Sequence, residues 1–349
     1  MNAHGLPFPL PERPAVTTLR DKQTADVLAL RGPPQQVLPG FDPRYRDIVH
    51  YIVGITEEIW RDRQVGRIRE TYAEDCIIHT SMGTTQGVEG VINGTVGTIA
   101  AQPDGVSRHL QVPWSADGED FYTSHLGFAR ATNLGPNAFG PGTGRRYGMH
   151  FVADCLSRDN KIHTEWLTRD NLSLVLQLGH DAQTVARQLA PLTGEVEGAP
   201  ATNPGKWTGA IDTWDGFWRH HFDDLWNNRE FDHVGFHYTR DAVAHWPGGA
   251  TWRGRRAIQE QLLSLFAALP DAAVRIEHKA WAEEADGVIV AVRWRLDGTT
   301  SGRGMFGAVP AGRPVALIGM SQFRFAGRYI WEEWTMFDAV AAMAQAYRA

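Results

Sequence analysis

Four polar side chains in the first half of the sequence have the types that general acid–base catalysis uses: His125, His150, Asp154 and Asp170. Asp170 ends a predicted strand in which alternate residues share a face, so its carboxyl group would lie beside the ring of Trp166. Burial beside an aromatic ring raises the pKa of a carboxyl group and lets it exchange protons near neutral pH. Asp170 also precedes a predicted helix, where aspartate is a good N-cap, and both roles remain open.

The elements that position these residues occur twice in the sequence. Residues 57–79 align without a gap with residues 223–245, at a shift of 166 positions. The identical pairs are Trp60 and Trp226, Arg63 and Arg229, Tyr72 and Tyr238, Asp75 and Asp241, and His79 and His245. Two one-residue insertions extend the match to the end of both copies. A repeat of about 140 residues indicates duplicated domains, because solenoid repeats span roughly 20–50 residues.

Each copy has the pattern of helices followed by an antiparallel sheet. In the first copy, apolar residues at helical spacing predict helices over residues 44–64 and 88–101. Alternating segments between residues 107 and 169 predict the strands, and residues 171–189 predict a closing helix. The second copy repeats this order from residue 214. The sequence therefore predicts an α+β fold in which each curved antiparallel sheet wraps over about three helices.

The copies and the segments beside them give four predicted parts. Residues 1–43 contain eight prolines, so this arm is predicted to lie extended over the body or over a neighbouring subunit. Residues 44–190 form domain 1, and residues 214–349 form domain 2. Between them, residues 191–213 mix Pro, Gly, Ala and Thr without periodicity, which is typical of a linker.

The end of the first copy carries the most specific motif. Residues 161–179 read KIHTEWLTRDNLSLVLQLG and resemble the closing strand and helix of the SnoaL-like polyketide cyclases, in the nuclear transport factor 2-like superfamily. The run from Tyr72 to His79 and the helix start at residues 87–91 extend this resemblance over about 44–190. The second copy ends AGRYIWEEWTMFDAV and resembles the superfamily more than the cyclases.

The resemblance implies two tandem cone-shaped α+β domains. It also implies that the aspartate of the motif, Asp170 in this sequence, is the acid or base. Because the superfamily includes cyclases, isomerases, dehydratases, epoxide hydrolases and binding proteins, the reaction has to be argued from the site.

Comparison of the copies predicts which side chains face the interior of the first domain. In the second copy Val292 and Trp294 lie on an apolar strand face, and a shift of 167 positions carries that face onto His125. The same shift, applied to the next strand, turns His150 and Asp154 to the same interior. That step depends on register, because a slip of one residue would turn both side chains outward.

The polar set belongs to the first copy, because the second copy has Val292, Leu317 and Ser321 at the positions of His125, His150 and Asp154. Domain 2 is therefore predicted to be a degenerate copy. Buried polar groups cost free energy unless they are paired, so several in one cavity favour a functional site. The predicted catalytic residues are Asp170, His125, His150 and Asp154. The predicted substrate-binding residues are Trp166, His79, Trp60 and Tyr72.

Several classes of function have no signal in the sequence. A net charge of −6 with a pI near 6.2 gives no basic footprint for nucleic acid or an anionic membrane. No HExxH, cysteine pair or facial metal-ligand spacing appears, so no metal and no cofactor are expected. Residues 302–307 fit a dinucleotide-binding pattern, but Pro310 and Pro314 prevent the helix that should follow. With two cysteines and no signal-peptide pattern, the protein is expected to be cytoplasmic.

The leading hypothesis is a cofactor-independent acid–base enzyme that acts on a small carbonyl-bearing or cyclic metabolite in domain 1, by cyclisation, isomerisation, dehydration or hydrolysis. Asp170 would be the base, and His125 or His150 would orient it or donate to an enolate oxygen. The alternative is a non-catalytic binding or scaffold protein whose side chains fill both cones. A third hypothesis places an aromatic site in domain 2, among His245, Trp246, Trp252 and His278. Because members of the superfamily pair in dimers, the resemblance also suggests a homodimer, with packing of the domain 1 sheet on the domain 2 sheet or with exchange of the N-terminal arm.

Overall fold

The computed structural model describes residues 4–348, and both copies have the same order of elements. The arm and the first copy contain α1 (Thr24–Leu28), α2 (Ile48–Trp60), α3 (Ile68–Thr71), β1 (Tyr72–Thr80), β2 (Gly83–Gln86), α4 (Val88–Ala101), β3 (Val106–Gln111), β4 (Trp114–Asp117), β5 (Asp120–Thr132), β6 (Arg146–Arg158), β7 (Lys161–Arg169), α5 (Asn171–Leu178) and α6 (Ala182–Leu189). The second copy contains α7 (Trp214–Arg219), a π-helix (His220–Asn227), α8 (Val234–His237), β8 (Tyr238–Trp246), β9 (Ala250–Arg253), α9 (Arg255–Ala268), β10 (Ala273–Glu284), β11 (Gly287–Thr299), β12 (Pro314–Ala326), β13 (Tyr329–Phe337) and α10 (Ala339–Tyr347). The predicted α+β fold with two tandem copies is confirmed.

The strands of both copies form one continuous sheet of thirteen strands. Its order is β2-β1-β7-β6-β5-β4-β10-β11-β12-β13-β8-β9, and β3 pairs with β5 beside β4. The half-sheets join where Trp114 of β4 pairs with Trp281 of β10. Neighbouring strands are antiparallel, as predicted, except that β1 with β7 and β8 with β13 are parallel. These parallel pairs arise because the first strand of each copy lies beside its last strand.

Aspartates cap the helices that follow the closing strands. The side chain of Asp170 accepts a hydrogen bond from the first turn of α5, and Asp338 does the same for α10. A carboxylate stabilises this position because it accepts an N–H group that has no partner within the helix. Within residues 4–348, no helix is long and apolar enough to cross a membrane.

The N-terminal arm lies across both copies of its own chain. Phe8 packs against Phe325 of the second copy, with ring centroids 5.6 Å apart. The guanidinium group of Arg13 lies 4.6 Å from the ring centroid of Trp114 and 3.6 Å from that of Trp281. The arm therefore covers the junction of the two half-sheets.

The segment between the copies has little regular structure. After a 3₁₀ turn at Ala190–Leu192, residues 193–213 contain no helix or strand. Arg295 of β11 donates hydrogen bonds to the carbonyl groups of Val196 and Glu197, at 3.1 and 2.7 Å. These bonds hold the segment against the second half-sheet.

Candidate functional site

The first copy encloses a cavity of about 490 Å³ between α2, α4 and the face of β5, β6 and β7 that these helices cover. This volume lies within the roughly 300–1,000 Å³ of typical small-molecule sites. Much of the lining is apolar and includes Ile55, Trp60, Val91, Ile99, Met149 and Phe151. A ligand that fits this cavity would therefore be largely apolar, with few polar groups.

The second copy has aromatic rings where the first copy has space. The aligned pairs are Thr80 and Trp246, and Cys155 and Phe323. Both rings of the second copy are at most 2% exposed. Trp294 is different, because its ring lies over Gly319, whereas in the first copy the ring of Phe151 lies over Gly127, so both copies have a ring there. The hypothesis of two filled cones therefore fits the second copy but not the first.

Three buried side chains form a hydrogen-bonded relay at one wall of the cavity: Glu57, His109 and His125. His109 Nε2 lies 2.7 Å from Glu57 Oε1, and His109 Nδ1 lies 2.8 Å from His125 Nε2. The three residues are 4%, 7% and 2% exposed, and Glu57 and His125 line the cavity. Arg61 Nη1 lies 2.7 Å from Glu57 Oε2, so a cation neutralises the outer end of the relay.

The hydrogen bonds of the relay limit where the ring protons lie. A carboxylate only accepts, so His109 Nε2 donates to Glu57. In the tautomer in which this is the one ring proton of His109, its Nδ1 accepts from His125 Nε2, and His125 keeps the lone pair on its Nδ1. Burial holds the pKa of His125 well below its ordinary value. The His125 ring is therefore neutral at pH 7 and able to accept a proton.

Three elements bring the relay together. Glu57 lies on α2, and His109 of β3 pairs with Gly127 of β5, two residues from His125. Side chains two residues apart on a strand share a face, so the two imidazoles lie on the same side of the sheet. The aligned residues of the second copy are Asp223, Ile276 and Val292. The second copy therefore cannot form this relay.

A second polar group faces the cavity two strands away. The Tyr72 hydroxyl donates to Glu165 Oε2 at 2.9 Å, and both residues line the cavity together with Arg169. Burial raises the pKa of the Glu165 carboxyl group above its ordinary value. In the second copy, Glu333 accepts hydrogen bonds from Tyr238, Trp246 and Thr335. Only the tyrosine has a counterpart in the first copy, so Glu165 has hydrogen-bonding capacity left for a ligand.

Asp170 lies outside the cavity lining, and backbone donors engage its carboxylate. Oδ1 accepts from the N–H groups of Ser173 and Gly248 at 3.0 and 2.7 Å, and Oδ2 accepts from Gly249 at 2.9 Å. The first bond caps α5, and the other two hold the turn between β8 and β9 of the second copy. The structure therefore gives Asp170 a capping and docking role in place of the predicted role as base.

His150 and Asp154 also point away from the cavity. The His150 ring packs against Phe128 and His245, with centroid distances of 4.8 and 5.9 Å, and burial lowers its pKa to about 4. Asp154 is fully buried and accepts a hydrogen bond from Tyr122. The two residues lie on the opposite face of β6 from the cavity, which corrects their predicted place in the site.

His150 and Asp154 face away from the cavity because the register of β6 differs from the predicted one. The strand pairing sets His125 opposite Ala153, whereas the second copy sets Val292 opposite Ser321. Because His125 corresponds to Val292, their partners Ala153 and Ser321 also correspond. The shift between β6 and β12 is therefore 168 positions, whereas 167 was predicted. The extra residue lies in the loop before β12, residues 300–313, which is one residue longer than residues 133–145 before β6.

Trp166 and His79 lie on the outer face of the first cone. The two rings stack with centroids 5.4 Å apart, and Arg293 of the second copy lies 3.4 Å from the centre of the Trp166 ring. The pairing of β6 with β7 skips His163, which makes a bulge. A bulge reverses the alternation of side chains, so Glu165 faces the cavity and Trp166 does not, contrary to the prediction.

Three of the predicted site residues line the cavity, namely His125, Trp60 and Tyr72. The cavity and relay residues that the prediction missed are Glu57, His109, Glu165 and Arg169. Two signals for them were present in the sequence. Tyr72 and Glu165 match Tyr238 and Glu333 in the second copy, and the 167-position shift pairs His109 with the apolar Ile276.

One group of side chains within residues 4–348 has the spacing to hold a metal ion: His220, Asp224 and His233. The group lies in the second copy, and none of its members lines the cavity of the first copy. Any metal at this position would therefore be separate from the relay.

One protein-family model matches part of the chain. Residues 218–346 match the family model described as SnoaL-like polyketide cyclase. These residues belong to the second copy, although the cyclase motif is closer in the first. No curated protein sequence matches the chain.

Solved structures of single domains are similar to parts of the chain. IdmH from Streptomyces antibioticus, assigned as a polyketide cyclase, is 25% identical over 38% of this chain and 97% of its own, with a TM-score of 0.32. A protein from Jannaschia sp. CCS1, assigned as a SnoaL-like polyketide cyclase, is 22% identical over 36% of this chain and 86% of its own, with a TM-score of 0.31. AclR from Streptomyces galilaeus, assigned as a hydroxylase, is 17% identical over 38% of this chain and 98% of its own, with a TM-score of 0.33.

Proposed function

We propose that this chain, whose residues 218–346 match the SnoaL-like polyketide cyclase family model, is a cofactor-independent acid–base enzyme with its site in the first copy. In this proposal His125 accepts a proton from the substrate and Glu165 donates one. The observation that carries the proposal is the relay of Glu57, His109 and His125, whose inner end lies in the wall of an open cavity. The substrate is a small, largely apolar metabolite with a carbonyl group.

The environments of His125 and Glu165 suit opposite roles. Burial lowers the pKa of His125, so the imidazole is neutral, and burial raises the pKa of Glu165, which favours the protonated acid. Pairs of titratable groups whose pKa values are displaced in opposite directions are typical of acid–base sites. The two residues lie two strands apart, which is roughly 10 Å between backbones at about 4.8 Å per strand. A ligand with one or two rings would contact both side chains.

The reaction begins with removal of a proton from the carbon next to the carbonyl group. His125 Nδ1 takes this proton, and the charge of the imidazolium is shared through His109 with the Glu57 carboxylate. The negative charge that develops on the substrate oxygen is stabilised by Arg169 and by the acid proton of Glu165, which both line the cavity. Return of the proton to another carbon gives isomerisation, and attack of the enolate carbon on a second carbonyl gives ring closure.

The experiment that tests the proposal measures proton abstraction itself, so the net reaction need not be known. Cyclic ketones and 1,3-diketones are incubated with the protein in D₂O, and exchange at the carbon next to the carbonyl is followed by NMR. General acid–base groups contribute roughly 10²–10⁴-fold to rate, so His125→Gln is expected to reduce exchange by that factor. Glu165→Gln should also reduce the rate while the protein still binds the ketone.

His150→Gln is the matched control, because His150 lies on the neighbouring strand but points away from the cavity. This variant should exchange at the wild-type rate. If wild type binds a ketone by calorimetry but exchanges no faster than buffer, the cavity is a binding site and the catalytic proposal is wrong. Equal loss of exchange in His125→Gln and His150→Gln, with lowered melting temperature in both, would also contradict it.

A further inference from the structure

Three metal-ligating side chains meet on the second copy, outside the cavity of the first. His220 and Asp224 are four residues apart on the π-helix, and His233 ends the 3₁₀ turn Phe231–His233. One ligand atom from each residue lies within 4.8 Å of the other two. Single π-helical turns are rare and occur often at functional sites. The π-helix therefore supports the interpretation of this cluster as a functional site.

The spacing of the first two ligands is already that of a metal site. His220 Nε2 lies 3.5 Å from Asp224 Oδ2. Ligand atoms at about 2.0–2.2 Å from a tetrahedral Zn²⁺ ion are about 3.3–3.6 Å from one another. The ligand atom of His233 lies within 4.8 Å of the other two, so this ring would have to move closer to reach the same spacing.

Hydrogen bonds to His220 and Asp224 engage one atom of each and leave the other for a metal ion. His220 Nδ1 lies 2.9 Å from His237 Nε2, which leaves His220 Nε2 for a metal ion. Asp224 Oδ1 accepts a hydrogen bond from the Trp207 N–H group at 2.7 Å, which leaves Oδ2. Metal ligands in proteins are usually oriented in this way by a partner on the atom that does not bind the metal.

In the first copy, a positively charged side chain neutralises the carboxylate at the position of Asp224. Glu58, Arg67 and Gly54 are the residues aligned with Asp224, His233 and His220. Arg67 Nε lies 3.0 Å from Glu58 Oε2, so a permanent cation neutralises this carboxylate. Asp224 is 4% exposed, and among the residues described by the structure no lysine or arginine forms an ion pair with it. A buried carboxylate needs a compensating charge, which a bound cation would supply.

We propose that His220, Asp224 and His233 bind a divalent transition-metal ion, with Zn²⁺ as the expected occupant. Two imidazoles and one carboxylate form a ligand set that suits zinc, and the fourth position is open to water. The ion would tie the π-helix to the turn before α8, so its role would be to stabilise the second copy.

The test uses the full-length protein after treatment with EDTA and removal of the chelator. Co²⁺ is added and its visible d–d absorption is recorded, and Zn²⁺ binding is measured by calorimetry. Wild type is expected to bind one ion per chain, with the intense absorption of four- or five-coordinate Co²⁺. The melting temperature should rise with Zn²⁺ concentration, because an ion that binds only the folded state stabilises it by mass action.

Two variants probe the ligands, and a third serves as control. His220→Gln should weaken Zn²⁺ binding at least tenfold. His233→Arg introduces the ion pair of the first copy, so it should abolish binding while the metal-free melting temperature stays the same or rises. His245→Gln removes a half-buried histidine elsewhere in the second copy and should bind as wild type does. Failure of wild type to bind one ion, or equal binding by His220→Gln, His233→Arg and wild type, would overturn the proposal.

Discussion

Replacing Thr80 by tryptophan would give the first copy the ring that helps to fill the second. The aligned Trp246 stacks on Trp226 with centroids 5.8 Å apart, and its Nε1 donates to Glu333 at 2.9 Å. In the first copy the matching partners, Trp60 and Glu165, both line the open cavity. The new indole would therefore have a ring to stack on and a carboxyl group to bind.

The magnitude follows from the area that the ring would bury. About 150 Å² of added apolar surface corresponds to about 4 kcal/mol at roughly 25 cal/mol per Å². Packing strain offsets about 1–3 kcal/mol of this gain. Thr80 also forms hydrogen bonds with Gly83 and Met82, at 2.9 and 3.1 Å, and any substitution there loses them. Thr80→Ala loses the same bonds without filling the space, so it is the matched reference.

We expect the free energy of unfolding of Thr80→Trp to exceed that of Thr80→Ala by about 1–3 kcal/mol, which is the gain that remains after packing strain. Urea unfolding measures the difference, and calorimetry with a ketone that wild type binds measures occupation of the cavity. Thr80→Ala should retain binding, and Thr80→Trp should lose it. A Thr80→Trp protein that is less stable than Thr80→Ala, or that binds the ketone as wild type does, would refute the correspondence between the two cones.

Two further predictions concern the aspartates that cap the closing helices. Asp170→Asn should lower the free energy of unfolding by about 2–4 kcal/mol, because the new amide nitrogen would face a backbone N–H donor. Asp181→Asn, at the exposed start of α6, should lower the free energy of unfolding by about 1 kcal/mol or less. Urea unfolding of both variants checks this, and equal losses would contradict the docking role of Asp170. Burial raises the pKa of Asp338 from 3.8 to about 6. The folded state therefore holds an extra proton between about pH 4 and pH 6, and stability falls as pH rises through that window, by about 3 kcal/mol at about 1.4 kcal/mol per pKa unit. Asp338→Asn should remove this contribution, and unchanged pH dependence of its unfolding would refute the assignment.

The repeat in the sequence predicts most of the fold because both copies conserve the residues that fix their elements. Tyr72 and Tyr238 occupy the same place at the start of β1 and β8, and each donates to the glutamate of its closing strand. The parallel pairing of these strands was not predicted, since it joins segments far apart in the sequence. Local periodicity carries no information on such pairing.

The site was harder to predict because small changes in register decide which side chains face the cavity. One extra residue before β12 and one bulge at His163 turned His150, Asp154 and Trp166 to the outer face. His125 was placed correctly because β5 and β11 align without either irregularity. The inward or outward direction of a side chain in one copy can be inferred from the other copy only when the loops that precede the strand have equal length.

The cavity of the first copy depends on the second copy for part of its wall. Asp338 and Val340, at the start of α10, line it beside Asn171, and the Asn171 amide donates to Asp338 Oδ2 at 2.6 Å. Asp170 is held in turn by the β8–β9 turn of the second copy. The second copy, whose interior is filled, therefore holds one end of the open cavity of the first copy in place. Because an interior packed with aromatic rings resists deformation, the second copy can hold that end in place while the first copy keeps the space that a substrate needs.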